Sequence, residues 1–239
     1  MSSCLNVHRE AGHWVIELSR PEKRNALSEH IVEELIHAVD TAHAEGVPLL
    51  VFKGAGKNFS AGFDFTGFED QSEGDLVLRM IRIETLLQKG LALPSQTMAF
   101  AHGGNFGAGV DLFAACKFRY ATADAAFRMP GLKFGLILGT RRFRNLVGDH
   151  AALSILGTAR SFSVNEALDI GFVHHIAAQS DWPELIRQGR ESAETLDTLT
   201  RASLYQVLSR ADDDADMAAL VRSASEPGFK TRIRNYLRV

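Results

Sequence analysis

The first strongly patterned stretch, His13-Trp14-Val15-Ile16-Glu17-Leu18, is rich in β-branched and aromatic residues and predicts a strand. The proline and charges of residues 20–25 end it. Ile31, Val32, Leu35, Ile36 and Val39 then recur at helical spacing, with Ser28 placed as a cap and Gly46 near the far end. Residues 49–53 predict a short apolar strand, and a glycine-rich loop follows over 54–62. Residues 64–75 are polar and acidic, and a mobile loop is expected there. Leu76, Met80, Ile83, Leu87 and Leu91 mark a second amphipathic helix. Residues 97–101 predict a buried strand that runs into a second glycine-rich turn over 103–109. A buried helix over 110–116 and a strand over 118–121 complete this part.

This alternation of strands and helices predicts an α/β core. The last third differs: helical patterns cover 151–156, 164–170, 182–200 and 202–208, with no strand signal among them. Asp212-Asp213-Asp214 is the one linker-like stretch. With 239 residues, 46% of them hydrophobic, the chain can bury a full core without disulfides or metal staples. Its two cysteines, Cys4 and Cys116, form neither a disulfide framework nor a zinc-spaced cluster. The 26 basic and 29 acidic residues leave a net charge of −3, which offers no general attraction to nucleic acid or membrane. No secretory leader and no run of membrane-span length is visible, so a cytoplasmic protein is expected.

Candidate chemistry sits in the glycine loops. Gly54-Ala55-Gly56 after a strand suggests a dinucleotide motif, but Phe59 stands where the third glycine belongs. One such loop alone is a tight turn. Two, each following a buried strand, can aim two backbone N–H groups at one point, which is how a carbonyl oxyanion is held. That arrangement suits thioester chemistry, in which charge develops on the carbonyl oxygen as an enolate forms.

Four segments then resemble one family. Arg20-Pro21-Glu22-Lys23-Arg24-Asn25-Ala26-Leu27 resembles the early motif of the crotonase, or enoyl-CoA hydratase/isomerase, superfamily. Phe59-Ser60-Ala61-Gly62-Phe63-Asp64 is similar to its F-[SA]-A-G-x-D motif, and Gly107-Ala108-Gly109-Val110-Asp111-Leu112 to its G-G-G-x-[ED]-L motif. Residues 162–173 are similar to its A-x-E-A-L-x-I-G-L-V run. The resemblance implies a crotonase-like ββα spiral core over residues 1–180 and a C-terminal helical trimerisation region over 181–239. It implies a homotrimer or hexamer acting on an acyl-CoA thioester, with coenzyme A as part of the substrate, no separate cofactor and no metal. The thioester carbonyl would be held by the N–H groups of Phe63 and Ala108. Arg24, Ala26, Ala61, Asp64, Phe65 and Thr66 would join them in binding substrate, and Arg232 would reach the phosphates. Asp111 would be the acid/base, in a context nearest the dienoyl-CoA isomerases; the other reading is an acid paired with the start of its helix.

Two departures qualify the reaction. Gly131 stands where the hydratases carry a second carboxylate, and Gly139 where dienoyl isomerases and aryl-CoA dehalogenases carry an acid. Adding water across a double bond needs two proton-handling groups or one serving both steps. A single carboxylate favours isomerisation, in which one base shuttles one proton; a catalytically degenerate acyl-CoA-binding protein is the alternative. Asp64, Glu69, Asp70 and Glu73 are expected as solvated acids beside the pocket, able in principle to swing in. Arg128, Arg141, Arg142 and Arg144 either pair with acids or recognise a carboxylate-bearing acyl group. His102 and His174-His175 read as structural.

Overall fold

The computed structural model describes residues 4–238. β1 (Leu5–Glu10) and β2 (His13–Leu18) form an antiparallel hairpin. α1 (Glu29–Ala44) follows, with the Ser28 hydroxyl accepting from the Ile31 N–H at 3.3 Å, a cap that satisfies one orphan donor of the first turn. The helix buries the stripe its periodicity predicts: Ile31, Val32, Leu35, Ile36 and Val39. β3 (Leu49–Gly54), α2 (Glu73–Ala92) and β4 (Gln96–Ala101) come next, then β5 (Gly104–Phe106), α3 (Ala108–Ala114), β6 (Phe118–Ala121) and β7 (Ala126–Arg128). α4 (Thr140–Thr158), β8 (Ser161–Ser163), α5 (Val164–Asp169) and β9 (His175–Ile176) follow. Four helices end the described chain: α6 (Trp182–Glu194), α7 (Thr198–Leu208), α8 (Asp213–Ser225) and α9 (Phe229–Leu237).

The larger sheet has the order β1-β2-β3-β4-β6-β9, parallel throughout beyond the first hairpin. Helices cover both faces, which is why β3 and β4 are almost continuously apolar. One face sends Ile16, Leu50, Phe52 and Ala99 into the main core with α1, α2 and α3. The other sends Val15, Leu49, Val51, Met98 and Phe100 against Trp182 and Ala193 of α6. A small second sheet, β5-β7-β8, lies over the second glycine turn, with β5 parallel and β8 antiparallel to β7. Behind it Phe113, Phe127, Phe143, Phe162 and Phe172 stack, with ring centroids 5.3 to 5.7 Å apart. Each such buried ring contributes about 1.5–3 kcal/mol. Together they fix α3 against α4 and the small sheet.

Several expectations change. The acidic stretch from residue 64 is not all loop: Phe68–Asp70 is a 3-10 turn, and α2 begins at Glu73. Ser72 and Asp75 close a reciprocal capping box there, which starts the helix before its apolar stripe does. The expected helix over 182–200 is two helices, because Asp197 caps α7 afresh through the Leu199 and Thr200 N–H groups. Asp212 is the cap of α8 rather than a linker, accepting from the Ala215 N–H at 3.1 Å. β8 and β9, in the part read as purely helical, are three and two residues long. Among the described residues no helix is long and apolar enough to cross a membrane.

Candidate active site

The two glycine loops are tied to each other by backbone and by one asparagine. Phe59 N–H donates to the His102 carbonyl at 3.2 Å, and Phe106 N–H to the Ser60 carbonyl at 3.1 Å. Asn105 is fully buried between them. Its Oδ1 accepts from the Phe59 and Ser60 N–H groups, and its Nδ2 faces the carbonyls of His102, Gly103 and Ala126. Asn25 does the same work on the other side. Its Nδ2 donates to the carbonyls of Ala55 and Asn58, and its carbonyl accepts from Ser60 Oγ. Sequence reasoning missed both asparagines; the signal was an amide side chain, Asn25 in the matched 20–27 segment and Asn105 in the second glycine turn.

This closeness explains two glycines. Gly62 adopts φ +79°, and a Cβ there would stand 2.3 Å from the Phe106 carbonyl oxygen and 3.0 Å from the Ala108 nitrogen. Gly109 faces Ser60, where a Cβ would stand 2.7 Å from the hydroxyl. Ala108 between them is the first residue of α3, and its methyl group is accommodated. The Phe63 and Ala108 peptides therefore meet at one corner. Among the described residues, no turn, cap or side-chain hydrogen bond takes up either N–H.

That corner opens on a largely apolar cavity of about 530 Å³. Nine of the ten residues given a substrate or catalytic role from the sequence line it, Arg24, Ala26, Ala61, Phe63, Asp64, Phe65, Thr66, Ala108 and Asp111, while Arg232 does not. Leu136, Leu138, Leu156, Phe134 and Tyr236 form its apolar wall. The α9 residues Tyr236 and Leu237 were not anticipated; they reach the cavity because α9 packs on the 131–134 turn.

Asp111 lies in the first turn of α3 and is 2% exposed. Its Oδ1 has no hydrogen-bond partner. Burial pushes its carboxyl well above the usual carboxylate range; Arg142 opposes the rise and Glu84 adds to it. Gly139 makes room for this side chain, since a Cβ at 139 would fall 1.7 Å from Asp111 Oδ1. Gly131 is different: a Cβ there meets only Leu136, its carbonyl oxygen at 3.1 Å and its Cβ at 3.9 Å.

The other candidates separate. Asp64 is ion-paired with Arg20 and accepts from the Thr66 N–H at 2.9 Å. Burial alone would raise its carboxyl, but the Thr66 and Arg20 hydrogen bonds and the Arg20 charge bring it below the usual range. Arg79 braces the same segment: its guanidinium lies 4.1 Å from the Phe63 ring centroid and donates to the Asp64 carbonyl at 2.7 Å. Glu69 pairs with Arg234 of α9, and Glu73 accepts from the Lys230 N–H. Three of the four clustered arginines pair with acids: Arg141 with Asp216, Arg142 with Glu84 and Arg144 with Asp149. Arg128 lines the cavity while its Nε donates to the Ala159 carbonyl. Arg232 donates to the carbonyls of Phe134, Gly135, Ser223 and Glu226, so it ties α9 to its neighbours. His102 is buried against Trp182, with Nε2 on the Gly56 carbonyl, and is not among the residues lining the cavity.

Comparisons with known proteins converge. The family profile described as Enoyl-CoA hydratase/isomerase matches residues 8–226. A Bacillus subtilis protein named "Probable enoyl-CoA hydratase" is 34% identical over 194 residues, 77% of this chain and 74% of its own. The Rattus norvegicus mitochondrial Delta(3,5)-Delta(2,4)-dienoyl-CoA isomerase is 32% identical over 185 residues, 70% of this chain and 56% of its own. A crystal structure from Bordetella parapertussis, described provisionally as an enoyl-CoA hydratase/isomerase, superposes with a TM-score of 0.99 at 64% identity, covering 100% of both chains.

Proposed function

Because this chain belongs to the enoyl-CoA hydratase/isomerase family, we propose that it converts an acyl-CoA thioester through an enolate held by the Phe63 and Ala108 N–H groups, with Asp111 moving the proton. The observation that carries the reading is one apolar cavity lined by Phe63, Ala108 and Asp111 together, with two N–H groups that have no protein acceptor and one buried carboxyl. Donors placed where charge develops act strongly in such a site, because water is excluded and they need not reorganise.

The step that fits one carboxylate is double-bond migration. The Asp111 carboxylate takes a proton from the acyl chain, breaking a C–H bond and forming O–H. With a 3-enoyl chain that proton comes from the carbon next to the thioester, and its electron pair moves onto the carbonyl, giving a dienolate whose oxygen the two N–H groups receive. The new carboxylic acid then returns the proton to the carbon at the other end of the three-carbon unit, and Asp111 is restored. No second acid is needed. Water addition lacks its second proton-handling group here, since Gly131 and Gly139 carry no side chain.

A homotrimer or dimer of trimers in the cytoplasm goes with this reading. Leu199, Val207 and Leu208 leave an apolar strip of α7 more than two-thirds exposed, which suits a subunit contact. The second reading, an acyl-CoA-binding protein without turnover, is favoured by the two glycines. One experiment separates them. Wild type and Asp111→Asn are assayed with a 3-enoyl-CoA for isomerisation and with crotonyl-CoA for hydration. Isomerisation that falls at least about 10²-fold in the variant supports the proposal. Binding of CoA thioesters without turnover of either substrate supports the alternative, and turnover indifferent to Asp111→Asn removes Asp111 from the chemistry.

A further inference from the structure

Two more ionisable groups, neither of them lining the cavity, are buried near Asp111. Arg142, in the first turn of α4, has a side chain 5% exposed, and Glu84, in the middle of α2, has one 1% exposed. They pair at 3.0 Å through Nη2 and Oε1. The pairing leaves Arg142 Nε and Nη1 buried without partners, as Asp111 Oδ1 also is. Asp111 is brought to this helix start because its carboxyl fills the space beside Gly139, three residues before Arg142.

A buried ion pair is a poor device for stability alone, because the desolvation of both charges offsets their attraction. An apolar pair would join α2 to α4 as well. Both charges act on Asp111: Arg142 favours its ionised form, Glu84 disfavours it, and the arginine has the larger effect. The remaining charges nearby are at one remove. Asp213 and Asp216 of α8 act on Arg142 and Glu84, and Arg141 faces Asp216. The cavity that Asp111 lines is largely apolar, with Leu136 and Leu138 in its wall, and also holds the charged Glu22, Lys23, Arg24, Asp64 and Arg128.

We propose that Arg142 and Glu84 are positioning residues for Asp111: the buried pair, joined to it through the Gly139 start of α4 and acting through space, sets the balance between its ionised and neutral forms. A base buried with no counter-charge would stay protonated at neutral pH and could take no proton from substrate. A base facing an unpaired arginine would be ionised but weakly basic. The arginine neutralised by Glu84 lies between these limits, where a proton can be both taken and returned. The inference rests on the reading of Asp111 as the proton-moving group, but its test does not require turnover.

The test is the ionisation midpoint of Asp111 in the full-length, unliganded protein, followed by ¹³C NMR of aspartate-labelled samples. The resonance is assigned by its loss in Asp111→Asn. Glu84→Gln removes the repulsion and unpairs the arginine, so the midpoint falls by about one pH unit or more. Arg142→Gln removes the attraction, so the midpoint rises, and it rises even if Glu84 protonates in response. Arg142→Lys keeps the charge and holds the midpoint near wild type. If the single variants do not fold, Glu84→Gln/Arg142→Gln carries no unpaired buried charge, and its midpoint rises because the arginine's effect is the larger. A midpoint unmoved in the folded variants, or moved in the same direction by both single changes, overturns the proposal. Turnover is recorded separately as the pH profile of kcat/KM, whose acidic limb should move with the midpoint. Opposite midpoint shifts in a protein that turns over no thioester would leave the pair standing and refute the reaction.

Discussion

Gly139 and Asp111 cannot both carry full side chains, and this coupling can be measured without any substrate. In Gly139→Ala the new methyl group enters at φ +64°, a region that costs an L-residue about 1–2 kcal/mol. It also arrives 1.7 Å from Asp111 Oδ1 and 2.6 Å from Cγ, so the carboxyl must leave its place. Forcing a packed side chain aside costs about 1–3 kcal/mol more. The single change should therefore destabilise by about 2–5 kcal/mol, a large share of the roughly 5–15 kcal/mol that holds a native protein together. In an Asp111→Ala background the carboxyl is gone. The nearest remaining atom of residue 111 is Cβ at 3.4 Å, an ordinary contact, and only the backbone term should survive. Urea unfolding of wild type, both single variants and the double variant closes the cycle, with midpoints compared at constant m-value. The expected coupling is about 1–3 kcal/mol, in the sense that Asp111→Ala relieves the Gly139→Ala defect. Costs that add to within about 0.5 kcal/mol would refute the packing argument, since atoms that do not meet do not couple.

Other predictions follow from neighbouring residues. Asn105→Ala strands the buried Ser60 N–H and unties the two glycine loops, so stability should fall by about 2–4 kcal/mol in urea unfolding, with kcat reduced more than KM is raised. Gly131→Glu should fold, because φ there is not positive and the Cβ is tight only against one carbonyl oxygen at 3.1 Å. The added carboxylate should raise crotonyl-CoA hydration about 10²-fold over wild type in a direct assay. Asp111 also gives a signed pH dependence. Its folded-state ionisation lies above its unfolded value of about 3.9, so its contribution to stability is fully present below that pH and is lost as pH rises through the folded value. Asp111→Asn should remove this loss, so wild type should weaken relative to the variant from about pH 4 upward in a series of denaturation curves. A constant difference across pH would show that the carboxyl is not held neutral by burial.

Much of this protein is written in short-range patterns. The stripes of α1 and α2, the strands β2, β3, β4 and β6, and the Ser28 cap follow from spacing over a few residues, where side-chain periodicity alone decides which face is buried. The segments at 20–27, 59–66 and 107–112 carry nine candidate residues, and all nine line one cavity, because glycine dihedrals and small side chains in a loop are also local properties.

Tertiary structure decided the rest. β5, β7, β8 and β9 are two or three residues long; their partners, where register sets them, lie up to 55 residues away, too far for any window of periodicity to see. Asn25 and Asn105 look like turn residues until the chain brings them to carbonyls 30 or more and about 20 residues distant. Arg142 and Arg144 are indistinguishable in sequence, yet one is buried on Glu84 and the other pairs with Asp149 at the surface. Gly139 reads as a missing acid until Asp111 is found in the space its side chain would fill. The sequence alone determines which residues can form the site, since motif, cap and dihedral preference act through neighbouring bonds. Which of them are buried, paired or displaced depends on solvent exclusion by distant segments, and that exists only once the chain is folded.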